Sequence, residues 1–61
     1  PLENRYTGSQ GTVWQAVDHD CTPTDIIVER TGLSTGMVAH LLMELVIDGG
    51  VEKVPGGYIR R

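Results

Sequence analysis

Phenylalanine is absent from this sequence, cysteine occurs once, and the unbroken apolar runs are short. Each absence excludes something. Without Phe, a core must be filled by Leu, Ile, Val and Met, together with Trp14 and the two tyrosines. The lone Cys21 cannot form an intramolecular disulfide, so a reducing, cytoplasmic setting is expected. No stretch approaches the ~20 apolar residues of a membrane span, and no charged-then-apolar leader precedes the first polar residues. No membrane partner is therefore expected. Positive charge is also scarce. Five Lys and Arg stand against eight Asp and Glu, for a net charge of −3. DNA-binding modules are usually basic overall, because much of their affinity comes from neutralised phosphates. Any DNA contact here must come from where the charges sit.

What is present is organised. Sixty-one residues make one small domain, and a chain of this size buries only about 60% of its unfolded surface. It begins at Pro1 rather than Met, which suggests a piece of a longer protein. Residues 1–8 are polar and without period, a linker or loosely docked end. The domain proper is expected over 9–61. Ser9 can cap a first helix over Gln10–Val17, with Val13, Trp14 and Val17 on one face. Gly11 weakens its start by about 1 kcal/mol relative to Ala. Thr22-Pro23-Thr24-Asp25 reads as a second helix start, with Thr22 as cap, Pro23 in the first helical position and Asp25 as the capping-box acid. That helix runs to Thr31 although Ile26-Ile27-Val28 is β-branched and locally favours a strand.

The second half carries the strongest pattern. After the turn Thr31-Gly32-Leu33, Ser34 caps a third helix. Its residues Val38, Leu41, Leu42 and Leu45 recur at the spacing of a core-facing stripe. Gly49-Gly50 ends it, because glycine enters the left-handed conformation without steric cost. Val51–Val54 alternates like a half-buried strand, Pro55-Gly56-Gly57 turns the chain, and Tyr58–Arg60 returns. The expected fold is mainly α with a small β wing. It is a winged helix-turn-helix with three helices and a two-stranded antiparallel sheet, with room for a minimal third strand near Cys21.

From Asp25 to the last residue the chain resembles the C-terminal winged-helix domain of the DNA-processing protein A family (DprA, also called Smf). The resemblance rests on Asp25–Ser34 (DIIVERTGLS), on Leu41–Leu45 (LLMEL) and on Gly49–Tyr58 (GGVEKVPGGY). Three positions depart from the family pattern. Gly50 stands where an apolar residue is usual, which thins the packing under the wing. Val46 and Ile47 make the helix end more apolar. The aromatic Tyr58 follows Gly57 directly. The resemblance implies an accessory domain of a protein acting in DNA uptake, natural transformation and recombination. It also implies a parent whose Rossmann-like core binds single-stranded DNA and helps load the recombinase, with none of that core in these 61 residues. Recombination or competence proteins are implied partners.

The working face can be interrogated residue by residue. In a helix-turn-helix the outward N-terminal side of the third helix enters the major groove. Here that side is Thr35, Gly36, Ala39, His40 and Met43, with no Arg, Lys, Asn or Gln for bidentate base contacts. Thr35 and His40 are its only polar groups for DNA; the plain alternative is a solvated or protein-facing helix. Lys53, Arg60 and Arg61 form the one basic cluster in reach of phosphate, or else an ordinary charged edge. Met43 and Ile47, outside the inward stripe, are candidates for protein docking, unless the first helix and the wing cover them.

His19, Cys21 and His40 lack the paired spacing of a zinc site, so no metal or other cofactor is expected. Asp18 and Asp20 have no recognisable nucleophile, base or oxyanion donor beside them. Pro55-Gly56-Gly57 leads into no helix that could receive an anion. Neither an enzyme nor a small-molecule substrate is expected. The expected function is a nucleic-acid or protein interaction module, with any DNA binding weak and phosphate-based. The alternatives are the reading head of a transcription regulator and a pure dimerisation module.

Overall fold

The structure, a computed structural model, describes residues 6–61. Its elements are α1 (Gly8–Ala16), α2 (Thr24–Thr31), α3 (Thr35–Asp48), β1 (Val51–Val54) and β2 (Gly57–Arg60). The winged helix-turn-helix is thus built as expected, and Ile26-Ile27-Val28 is helical despite its β-branched run. Only Ile27 of α2 is buried. It joins Val13 and Val17 of the α1 region and Val38, Leu42 and Leu45 of α3, all fully inaccessible. This single core holds the three helices together, and burial of such side chains stabilises by roughly 1.5–3 kcal/mol each.

α3 follows its sequence signals closely. The Ser34 hydroxyl accepts a hydrogen bond from the Met37 amide at 3.1 Å, and Gly49 ends the helix with φ 88°. The wing pairs β1 with β2 in antiparallel register, Val51 opposite Arg60 and Val54 opposite Gly57. The turn is therefore Pro55-Gly56 alone, and Gly57 already belongs to the strand. Gly56 has φ 90°, the glycine position of a type II turn with proline before it.

Two helix starts differ from the expectation. α1 begins at Gly8, with Thr7 in the cap position and Ser9 inside the first turn. Thr22 is not the cap of α2. Pro23 occupies the cap position, and no side chain, Asp25 included, caps this end. Thr22 instead makes an isolated antiparallel bridge to Tyr58, where the minimal third strand was expected. Its amide donates to the Tyr58 carbonyl at 2.8 Å, and the Tyr58 amide donates back to the Thr22 carbonyl at 3.0 Å. Its buried hydroxyl donates to the Asp20 carbonyl at 3.0 Å and accepts from the Asp18 amide at 2.9 Å. A buried hydroxyl with both roles filled serves the loop better than it would serve a helix end.

The start of the chain also differs. Residues 1–5 of the expected linker lie outside the described residues, but Tyr6 packs against the core. Its ring lies 5.6 Å from that of Trp14, and its hydroxyl donates to Asp48 at 2.5 Å. Packing at Gly50 is not thinned as expected. A Cβ at Gly50 would sit 2.8 Å from Cζ of Tyr6, so the phenol ring fills the space a side chain would take. Trp14 Nε1 donates to the Gly50 carbonyl at 3.0 Å, tying α1 to the root of the wing.

Candidate functional site

α3 presents two faces. Val38, Leu41, Leu42 and Leu45 point inward. Thr35, Gly36, Ala39 and His40 are exposed, as the sequence places them. Among the large apolar side chains Met37 is 46% exposed, Met43 56% and Ile47 81%. Neither α1 nor the wing covers Met43 or Ile47. His40, Met43 and Ile47 fall on one stripe by their i, i+3, i+7 spacing. Below this stripe an open groove of about 610 Å³ is lined by Tyr6, Gln10, Glu44, Ile47 and Asp48.

The polar groups of this face are modest. His40 Nε2 lies 3.2 Å from Glu44 Oε2 one turn along. Thr35 is exposed at the start of the helix. No Arg, Lys, Asn or Gln lies on the outward face of α3, so the groups that recognise base edges in pairs are missing from it.

The expected basic cluster does not come together. The register places Arg60 and Lys53 on the sheet face that carries the buried Val51. Arg61, beyond the strand, is on the other side with Glu52. The Arg60 guanidinium carbon stacks 4.8 Å over the Trp14 ring, and its buried Nε makes no hydrogen bond among the described residues. Such a contact holds the cation against the protein. Arg61 pairs with Glu52 at 2.8 Å. Glu52 thus offsets Arg61, not the adjacent Lys53. Lys53 Nζ lies 5.3 Å above the Tyr58 ring and is exposed. Of the three expected phosphate contacts, Lys53 and Arg61 reach solvent, and only Lys53 does so without an anionic partner among the described residues.

Arg30, which sequence pattern did not single out, has a structural task. It donates to the Ala16 carbonyl at 2.9 Å and to Asp18 at 3.0 Å. It thereby satisfies a carbonyl at the end of α1, where cations are favoured. Tyr6 was missed as well. The two positions without side chains beneath it, Gly11 and Gly50, were the available signal.

The loop groups are apart in function. His19 Nδ1 lies 3.2 Å from the Arg60 carbonyl. The exposed Cys21 thiol approaches the Pro55 carbonyl at 3.5 Å. No group of three His, Cys, Asp or Glu among the described residues is arranged to hold a metal. Nor is any helix among them long and apolar enough to cross a membrane.

The comparisons agree with this architecture. The family model described as DprA winged helix domain matches residues 3–57. Protein Smf of Escherichia coli (strain K12) is 41% identical over 44 residues, which cover 72% of this chain. The match spans 12% of that relative's length. No solved structure matches the chain. Three helices and a two-stranded wing, a match over nearly the whole chain and a relative of this identity agree, and the chain belongs to the DprA winged helix domain family.

Proposed function

We propose that this chain is the accessory winged-helix module of a Smf/DprA-like DNA-processing protein, acting in DNA uptake, natural transformation and recombination. It works in the cytoplasm and without catalysis of its own, by docking a protein partner of the recombination or competence machinery through the outer face of α3. The observation that carries this is the contrast on that face. Met43 and Ile47 are exposed while no cation stands beside them on the helix. An exposed apolar stripe favours protein contact, whereas base readout needs Arg, Lys, Asn or Gln.

DNA contact is a secondary role in this reading. It falls to Lys53 and Arg61, with Thr35 and His40 adding at most single polar contacts. Two accessible cations support only weak binding without sequence preference, falling as salt rises.

The test replaces Met43 and Ile47 by Glu in the full parent protein and measures recombination of incoming DNA in transformed cells. The expected result is a loss of transformants, with the duplex binding of the isolated domain unchanged. Unchanged transformation with Met43→Glu and Ile47→Glu, but a loss with Lys53→Glu and Arg61→Glu, would move the function to nucleic-acid contact.

A further inference from the structure

We propose that the protein segment docked on α3 is a cationic amphipathic helix. Its apolar stripe covers Met43 and Ile47, and a Lys or Arg beside that stripe pairs with Glu44. The inference rests on the docking role proposed for α3 and adds the chemistry of the partner.

Shape argues for a helix. Gly36, Ala39, Met43 and Val46 recur at i, i+3, i+7 and i+10, and so do Met37, His40, Glu44 and Ile47, which makes two adjoining stripes along the outer side of α3. All eight residues are exposed. A Cβ on Gly36 would meet nothing within 4 Å, so the start of this face is low and open and a second helix can lie close to it. The methionines on either side have unbranched, adaptable side chains that mould to an apolar stripe. An amphipathic helix laid on such a face anchors at the same i, i+3, i+7 spacing.

Charge separates the possible occupants. Arg30, Lys53, Arg60 and Arg61, the cations among the described residues, all stand off α3, against Asp18, Tyr58, Trp14 and Glu52. α3 itself carries Glu44 and Asp48 and has no basic residue in its last turn. Asp48 already accepts a hydrogen bond from Tyr6. Glu44 faces His40 at 3.2 Å, a cation only when protonated, and its side chain is 46% exposed. The negative pole of the helix falls in the same last turn, where Ile47 sits. An apolar surface edged by negative charge selects a positively charged apolar partner. A second copy of this chain would bring its own Glu44 and a net charge of −3 to the contact, and DNA would bring phosphates. Both are repelled where a cationic helix is attracted.

The test titrates the 61-residue chain into fluorescent peptides of fourteen residues, the length of α3, and reads anisotropy. One peptide has a Leu stripe at helical spacing and Lys elsewhere. A second has the same stripe with Glu for Lys, and a third has the Leu and Lys scrambled out of period. The expected result is saturable binding of the Leu/Lys helix, roughly three- to tenfold tighter than of the Leu/Glu helix, with the preference shrinking as salt rises. The scrambled peptide should bind more weakly than its parent. Glu44→Lys should invert the preference, whereas Glu29→Lys, the same charge change on α2, should leave it. Ile47→Ser should weaken both helices alike. All three substituted side chains are exposed, so the fold is retained. No saturable binding, equal binding of the scrambled peptide, or a preference lost equally with Glu29→Lys would overturn the inference. Equal binding of the two helices that Ile47→Ser still weakens would overturn the cationic partner and leave docking on α3 standing. Binding indifferent to Ile47→Ser would remove both.

Discussion

The two faces of α3 are made of the same fourteen residues and are held to different standards. The inner face, Val38, Leu41, Leu42 and Leu45, is buried against α1, α2 and β1. The outer face, with Met37, His40, Met43 and Ile47, touches little. On the inner face each side chain is fixed by close packing, so its identity follows from the fold. On the outer face nothing in the fold requires a methionine or an isoleucine. Under the proposed docking role, an apolar side chain there is explained by what binds it. In that proposed role, the difference separates residues that make the domain from residues that the domain presents.

The sharpest break of this comparison is a matched pair of truncations. Leu45→Ala should lower stability by about 2–5 kcal/mol, enough to unfold much of so small a domain. Ile47→Ala, two residues away, should stay within about 0.5 kcal/mol. Urea denaturation followed by circular dichroism reads both, and a cost for Ile47 near that for Leu45 would erase the distinction between the faces.

Thr22 sharpens it from outside the helix. Thr22→Ala strands the Asp18 amide and removes a buried hydroxyl, for an expected cost of about 1–3 kcal/mol. Exchange should quicken at the Asp18 amide and at the Tyr58 amide beside it, not at the first turn of α2. Fraying confined to α2 would restore Thr22 to a capping role. Ser34→Ala is the smaller effect, about 1 kcal/mol through loss of the bond to the Met37 amide. Thermal melting checks it, and Ser34→Asp should recover most of the loss.

These contrasts follow how far the sequence could be read. α3 was legible because its stripe, cap and terminal glycine are local signals that agree with one another. The wing was legible because Pro55-Gly56 sits between two alternating runs. The start of α2 was not. Thr22-Pro23 carries the short-range signature of a cap, but a partner far along the chain, Tyr58, claims Thr22 first. Tyr6 was hidden for the same reason: its hydrogen-bond partner lies 42 residues away, and its neighbours in sequence are polar. Of the candidate site, the exposure of Thr35, His40, Met43 and Ile47 followed from helical spacing. The dispersal of Lys53, Arg60 and Arg61 did not, because it depends on strand register and on Trp14 claiming Arg60.

The central claim, that the outer face of α3 docks protein and does not read bases, meets its most direct test in a duplex titration. Two short duplexes of unrelated sequence are titrated into the chain at physiological salt, with Thr35→Ala/His40→Ala and Lys53→Glu/Arg61→Glu variants alongside. The account predicts weak, equal binding to both duplexes, on the order of 10⁻⁴–10⁻⁶ M or weaker. It should be unaffected by the helix changes and lost with the wing reversals. Tight binding to one duplex alone, abolished by Thr35→Ala/His40→Ala and surviving Lys53→Glu/Arg61→Glu, would contradict it.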